Sequence, residues 1–332
     1  MSRTRRFAYS ADVPTLLDKS LLIFSGKGGA GKSTVAAATA VAASRRGKRV
    51  MVIEIGDHER IPSLFATRPA GYEGARVYAG QPPGGGDVWS MCLTARDALH
   101  EFALRSMKFE RLYEAVFENR VMRYFTAAAP GLDELTIMGK IEQFHRDAVD
   151  APKASRFDLV VFDAPATGHG LALFEVPLTT MRLARMGPLH ARAERMWRLL
   201  ADPARTAFNI VTLPEEMAVN ESIDLYQAAT DIGLPRGKVV VNAVYPNVFQ
   251  DDGDELRRLR DRSRPSAGLA PSIARAAIDR ATSAVARHAS QQDLIETLAG
   301  ALPLERVTLP FLFRPQVGLK EIEALADHLE DF

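Results

Sequence analysis

The sequence predicts an α/β fold, a doubly wound and mostly parallel sheet of the P-loop type carrying a helical insertion. Three observations predict it. A short apolar run at Leu21-Leu22-Ile23-Phe24 stops at glycines and is followed by a helix former-rich stretch and a second apolar run. Further apolar runs recur along the chain between helical segments, and one long helical stretch interrupts the alternation. Strands alternating with helices are the signature of parallel sheets with right-handed crossovers.

Leu21 to Phe24 is continuously apolar, as a strand buried on both faces must be. From Lys32 to Arg46 the chain is rich in alanine and other good helix formers, and Gly47 follows as the residue expected just past a helix end. Arg49 to Ile53 reads as the second strand, completing a βαβ unit. Gly80-Gln81-Pro82-Pro83-Gly84-Gly85-Gly86-Asp87 cannot pack a core and reads as a surface turn between two short strands. Residues 97–149 show apolar residues at three- and four-residue spacing, broken at Ala129-Pro130-Gly131, and form the predicted helical insertion together with 178–203. Strands resume at Phe157 to Asp163, Thr206 to Thr212, Lys238 to Asn242 and Arg306 to Leu309. Residues 251–272 are charged and then rich in Arg, Ser, Pro and Gly, an expected exposed excursion from what is otherwise one domain over 1–332.

Composition narrows the function classes. With 42 Lys+Arg against 41 Asp+Glu, the overall charge favours neither a nucleic-acid nor a membrane-surface partner. The single cysteine, Cys92, excludes an intrachain disulfide and any cysteine-only metal or iron–sulfur site, and reads as a small core residue of a protein kept in a reducing compartment. The first residues lack a signal-peptide core and no 18-residue apolar segment occurs, so the expectation is a cytoplasmic protein without an integral membrane segment.

The chemistry concentrates at Gly26-Lys27-Gly28-Gly29-Ala30-Gly31-Lys32-Ser33-Thr34. Gly26-x4-Gly31-Lys32-Ser33 fits the phosphate-binding loop and lies where that loop has physical meaning, between a buried strand and a helix start. Glycines let backbone N–H groups converge on phosphate oxygens, and the helix N-terminus adds its positive dipole end. Lys32 is expected to bridge the β- and γ-phosphates of ATP, and Ser33 to offer its hydroxyl to Mg2+. Asp163, ending an apolar strand, is the acidic residue expected to orient Mg2+ through water.

Lys27 to Thr34, together with Asp163-Ala164-Pro165-Ala166-Thr167-Gly168-His169, resembles the arsenite-pump and tail-anchored-protein-targeting (ArsA-like) ATPase family. The first motif is shared by the wider deviant-Walker group, and the second selects this branch. Pro130 to Glu134, Val211 to Glu216 leading to Glu221, and Val239 to Asn242 match as well. The resemblance implies a nucleotide-gated dimer, either a homodimer or a heterodimer with a paralogue. In it Lys27 reaches the partner's phosphates, Thr34 contacts the α-phosphate and Gly168 senses the γ-phosphate. Asn242 reads adenine, Glu221 lies near the nucleotide across the interface, and the segment from Pro310 and Phe311 closes over the base. The family's first switch carries Asp-Pro-Ala-His, whereas this chain has Glu54-Ile55-Gly56-Asp57-His58-Glu59, with Gly56 at the aspartate position. Asp57 or Glu54 is then the carboxylate that positions the attacking water.

An arsenite pump needs several cysteines for a soft metalloid and an electron-transferring iron protein needs cluster ligands, so both fit poorly. A partition or septum-site scaffold is the rival from another class. Its membrane form needs a basic amphipathic tail, but Leu319 to Phe332 is acidic; its DNA form needs a basic surface, and Arg257, Arg258, Arg260, Arg262 and Arg264 read as a solvated helix face. The remaining expectation is an ATPase that handles a client protein, an apolar or membrane-protein segment. Met181, Leu183, Met186, Leu189, Met196, Trp197, Leu199 and Leu200 are then either an adaptable lining or ordinary helix core.

Overall fold

The computed structural model describes residues 15–81, 84–106, 131–150, 156–247 and 271–332. Its strands are β1 Leu21–Ser25, β2 Val50–Ile55, β3 Ala75–Tyr78, β4 Val88–Leu93, β5 Leu159–Asp163, β6 Thr206–Thr212, β7 Arg236–Val244 and β8 Arg306–Pro310. The helices are α1 Lys32–Arg45, α2 Ile61–Leu64, α3 Ala95–Ser106, α4 Leu132–Asp150, α5 Thr167–Leu183, α6 Pro188–Leu200, α7 Glu216–Ile232, α8 Pro271–Ala301 and α9 Leu319–Asp327. The strands form one sheet in the order β3-β4-β2-β5-β1-β6-β7-β8. All neighbours run parallel except the β3–β4 pair, whose strands are joined through the predicted glycine-rich turn.

Period-two alternation divides β1 between two cores. Leu22 and Phe24 pack with α1 and α9 on one face, and Leu21 and Ile23 with residues of α4 to α8 on the other. Every residue of α1 from Val35 to Ser44 is buried, and alanine dominates because the helix lies between the sheet and α9, where larger side chains would not fit. Gly47, at φ 84°, takes the left-handed turn that ends α1.

Predicted boundaries shift at β2, β5 and β7, the last running from Arg236 to Val244, two residues further at each end than expected. β2 continues through Glu54 and Ile55, which pair with Cys92 and Leu93 of β4, so Glu54 belongs to a strand rather than to a loop. β5 begins at Leu159, because Asp158 is tied to Arg49 through its backbone N–H at 2.8 Å and its guanidinium at 2.7 Å, holding both residues just outside their strands. Cys92 is buried, as expected of a core residue.

The ends of the predicted helical stretch are α3 and α4; residues 107–130 lie outside the described residues, as do 248–270 with their arginines. The methionine and leucine stripe divides. Met196, Leu199 and Leu200 belong to the core beneath the sheet, whereas Leu183 and Met186 are 82% and 84% exposed at the α5–α6 corner, with Leu189 beside them. Among the described residues no helix is long and apolar enough to cross a membrane.

Candidate nucleotide-binding site

Parallel register gathers the site. Phe24 of β1 lies beside Asp163 of β5, and Ile53 of β2 beside Phe162, so the glycine loop after β1, Asp163 and Glu54 emerge together at the carboxyl edge of the sheet, where ligands bind in open α/β folds. They wall a cavity of about 470 Å³ whose lining includes Gly28, Lys32, Ser33, Asp57, Arg60 and Asp163. Gly29, Gly31, Thr34, Glu54 and Gly56 line it as well.

Close packing dictates two glycines of the loop. At Gly26, φ 149°, a Cβ would lie 2.0 Å from the carbonyl oxygen of Val211; at Gly31, φ 91°, it would lie 2.2 Å from Asn242 Nδ2. Asn242 Nδ2 instead donates to the Ala30 carbonyl at 3.0 Å, so β7 buttresses the loop from behind. Lys32 folds back over its own loop, donating to the carbonyls of Gly26 at 3.2 Å and Lys27 at 3.3 Å, and burial lowers its pKa. Ser33 Oγ donates to Asp163 Oδ2 at 2.5 Å. Burial raises the Asp163 pKa against the opposing pull of Ser33, Lys32 and Arg60, and its Oδ1 is buried with no hydrogen-bond partner.

The two carboxylates open to the water-positioning role have different surroundings. Glu54 is buried and accepts the backbone N–H groups of Arg60 at 2.9 Å and Ile61 at 3.0 Å, fixing the start of α2. Burial pushes its pKa up to about 7 despite those bonds, with Asp163 and Glu59 adding to the rise. Asp57 is exposed at the cavity and has no hydrogen bond or ion pair among the described residues. Gly56 has φ 125°, a conformation closed to most side chains, which is why an aspartate is not accommodated at that position in this loop.

The other expected residues lie around rather than on the cavity wall. Lys27 Nζ pairs with Glu221 Oε1 at 2.7 Å, joining the loop to α7. Gly168 stands in the first turn of α5, beyond the lining residues Ala164 to Ala166. Pro310 ends β8, and the Phe311 N–H donates to the Val244 carbonyl at 2.8 Å. The Phe311 ring stacks on Tyr245, centroids 4.7 Å apart and planes within 8°. Arg60 and Tyr245 are the residues that motif reading misses. The signal for Tyr245 is an aromatic three residues past Asn242; for Arg60 it is a lone cation past the first switch, which no spacing rule marks.

Comparison with known proteins places these motifs in one lineage. The chain matches a family described as Anion-transporting ATPase over residues 19–187 and 180–265. It is 31% identical over 232 residues to ATPase BagA of Mycobacterium tuberculosis, covering 68% of this chain and 65% of that protein. ATPase GET3C of Arabidopsis thaliana is 24% identical, with 69% and 68% of the two chains covered, and ATPase ARSA1 of Chlamydomonas reinhardtii is 22% identical, with 75% and 38% covered. The match to the mycobacterial relatives thus spans slightly less than two thirds of their length.

Proposed function

The chain belongs to the anion-transporting ATPase family, and on that footing we propose that it is a Mg2+-dependent, cytoplasmic ATP hydrolase whose nucleotide cycle gates a dimer that handles a client protein. The observation carrying the ATPase reading is the Ser33–Asp163 pair at 2.5 Å facing the glycine loop, with Asp163 Oδ1 buried and unpartnered. An oxygen-only donor set of one hydroxyl and one carboxylate suits Mg2+ retained with several waters, Ser33 ligating it and Asp163 holding it through water. Held there, Mg2+ would supply charge neutralisation for the phosphates.

The chain's own residues do the rest. Backbone N–H groups from Gly28 to Thr34 cradle the phosphates, and Lys32 exchanges its two carbonyl contacts for the β- and γ-oxygens, a stronger charge-assisted bond. Asp57, with no hydrogen-bond or ion-pair partner among the described residues, positions the attacking water, while Glu54, both oxygens engaged, braces the loop that carries it. The water oxygen bonds to the γ-phosphorus as the bond to the bridging oxygen breaks. ADP leaves with that electron pair, and the water's proton passes to Asp57 or to the departing phosphate. Asn242, which donates to the Ala30 carbonyl, and the Tyr245–Phe311 stack are the groups proposed to meet the base.

Lys27 supports the dimer: its intrachain partner Glu221, at 2.7 Å, is a partly exposed carboxylate that a partner chain's triphosphate can displace. The exposed Leu183, Met186 and Leu189 support a role in handling an apolar client segment. The test of the ATPase reading is phosphate release by the full chain with Mg2+ and with chelator. Release that needs Mg2+ and is lost in Asp163→Asn is expected; release independent of Mg2+ or unaffected by Asp163→Asn refutes the assignment.

A further inference from the structure

The cavity holds one cation to which the family pattern gives no role. Arg60 follows the first-switch segment and lines the cavity, yet its side chain has no hydrogen bond or ion pair among the described residues. Its position is fixed from below. The Arg60 N–H is held by Glu54 Oε1 at 2.9 Å, and its carbonyl accepts the Leu64 N–H at 3.2 Å, so the residue is the anchored start of α2 rather than part of a loose loop. Its guanidinium acts electrostatically on both Lys32 and Asp163, the two groups that mark the γ-phosphate and metal end of the cavity.

Two cations facing one cavity repel by about 1 to 4 kcal/mol when a few ångströms apart, depending on local dielectric. Of the carboxylates around them, Asp163 is committed to Ser33, and Glu54 to backbone N–H groups. Asp57 also lines the cavity, unpartnered among the described residues, and in the reading above it serves the attacking water, which leaves the Arg60 guanidinium free for a bound anion. A planar guanidinium there matches phosphate oxygens, and it suits charge that grows on the equatorial oxygens during transfer.

We propose that Arg60 is a catalytic residue in cis, its guanidinium contacting the γ-phosphate oxygens of bound ATP and stabilising the charge that develops as the γ-phosphoryl group passes to water. The inference rests on the ATPase reading of the same cavity. Atoms balance as in that reaction, since Arg60 neither gains nor loses a proton. Its contribution is charge and hydrogen-bond donation alone. Because ADP lacks the γ-phosphate, Arg60 also confers preference for ATP over ADP.

The test measures kcat, KM and the separate affinities for ATP and ADP in the full-length chain, for wild type, Arg60→Ala, Arg60→Gln and Arg60→Lys. Removal of one such donor is expected to lower kcat by roughly 100-fold. ATP affinity should fall while ADP affinity stays within about twofold, and Arg60→Lys should recover part of kcat by restoring charge without the planar fork. Unchanged kcat and ATP preference in Arg60→Ala and Arg60→Gln overturn the proposal and leave Arg60 a solvated surface residue. An equal loss of ATP and ADP affinity also overturns it, since Arg60 would then only shape the loop. The wild-type arm separates the two readings: a wild-type chain that neither binds nor hydrolyses ATP removes the ATPase reading itself, and the Arg60 proposal with it.

Discussion

At the scale of single residues, the site turns on two carboxylates three positions apart that the fold treats in opposite ways. Asp57 stands exposed at the cavity, so Asp57→Asn should lower kcat strongly while ATP affinity stays near wild type, the pattern of an interaction made only in the transition state; equilibrium titration alongside initial rates checks it. Glu54 is buried, and its carboxyl is raised from an ordinary value of 4.5 to about 7. The folded chain therefore holds this proton more tightly than the unfolded one. That stabilising contribution is complete below about pH 4.5, declines as pH rises and is gone above about pH 7. Wild type should accordingly lose stability relative to Glu54→Gln across that interval, by at most on the order of 3 kcal/mol, with denaturant unfolding at several pH values as the measure. A stability difference independent of pH would mean that the fold leaves the Glu54 carboxyl at its ordinary value. Sequence alone left Glu54 and Asp57 equivalent, because both are acidic residues near the end of an apolar run. The backbone N–H groups of Arg60 and Ile61, which distinguish them, come from a helix turn that no motif announces.

At the scale of elements, the glycine loop is held by what packs behind it, and its glycines are not equivalent. Gly26→Ala places a Cβ against the Val211 backbone carbonyl, which cannot yield without moving β6, whereas Gly29→Ala meets open space and carries only the cost of φ 86°. Gly29→Ala should cost about 1 kcal/mol, and Gly26→Ala clearly more, with loss of nucleotide affinity as the loop distorts. Thermal unfolding and ATP titration of the two variants test this, and equal effects would mean that the β6 contact does not shape the loop. The elements themselves were legible wherever a strand is buried on both faces. Leu21 to Phe24 of β1 and Leu159 to Phe162 of β5 are continuous apolar runs because helices cover both sides, and the alanine-rich α1 follows from its place between the sheet and α9. Boundaries were less legible where they depend on partners distant in sequence. Arg49 and Asp158 lie 109 residues apart and hold each other out of the sheet, while β2 runs on through Glu54 because β4 offers Cys92 and Leu93 opposite. Tyr245 and Arg60 were not legible, since each acquires a place only through residues that the fold brings beside it.

At the scale of the whole molecule, the proposed mechanism links phosphate binding to association of two chains. Lys27 is paired with Glu221 at 2.7 Å, both side chains partly exposed, and such a pair is worth roughly 0 to 1 kcal/mol, so a partner's triphosphate can displace it readily. Lys27→Ala should therefore keep ATP affinity close to wild type but lose hydrolysis and the ATP-dependent closed dimer. Sedimentation equilibrium in a hydrolysis-deficient background, with ATP against ADP, reads the difference; closure like wild type would make Lys27 a loop residue only. Beneath that coupling lies the proposed binding of MgATP in the cavity between the glycine loop and Asp163. Titration calorimetry of MgATP into the wild-type chain and Lys32→Ala tests it most directly. One MgATP per wild-type chain is expected, with an affinity loss in Lys32→Ala of about 2 to 4 kcal/mol, a factor of roughly 30 to 1,000, for removal of a charged donor to phosphate. Equal binding by the two chains, or no binding by wild type, would contradict it.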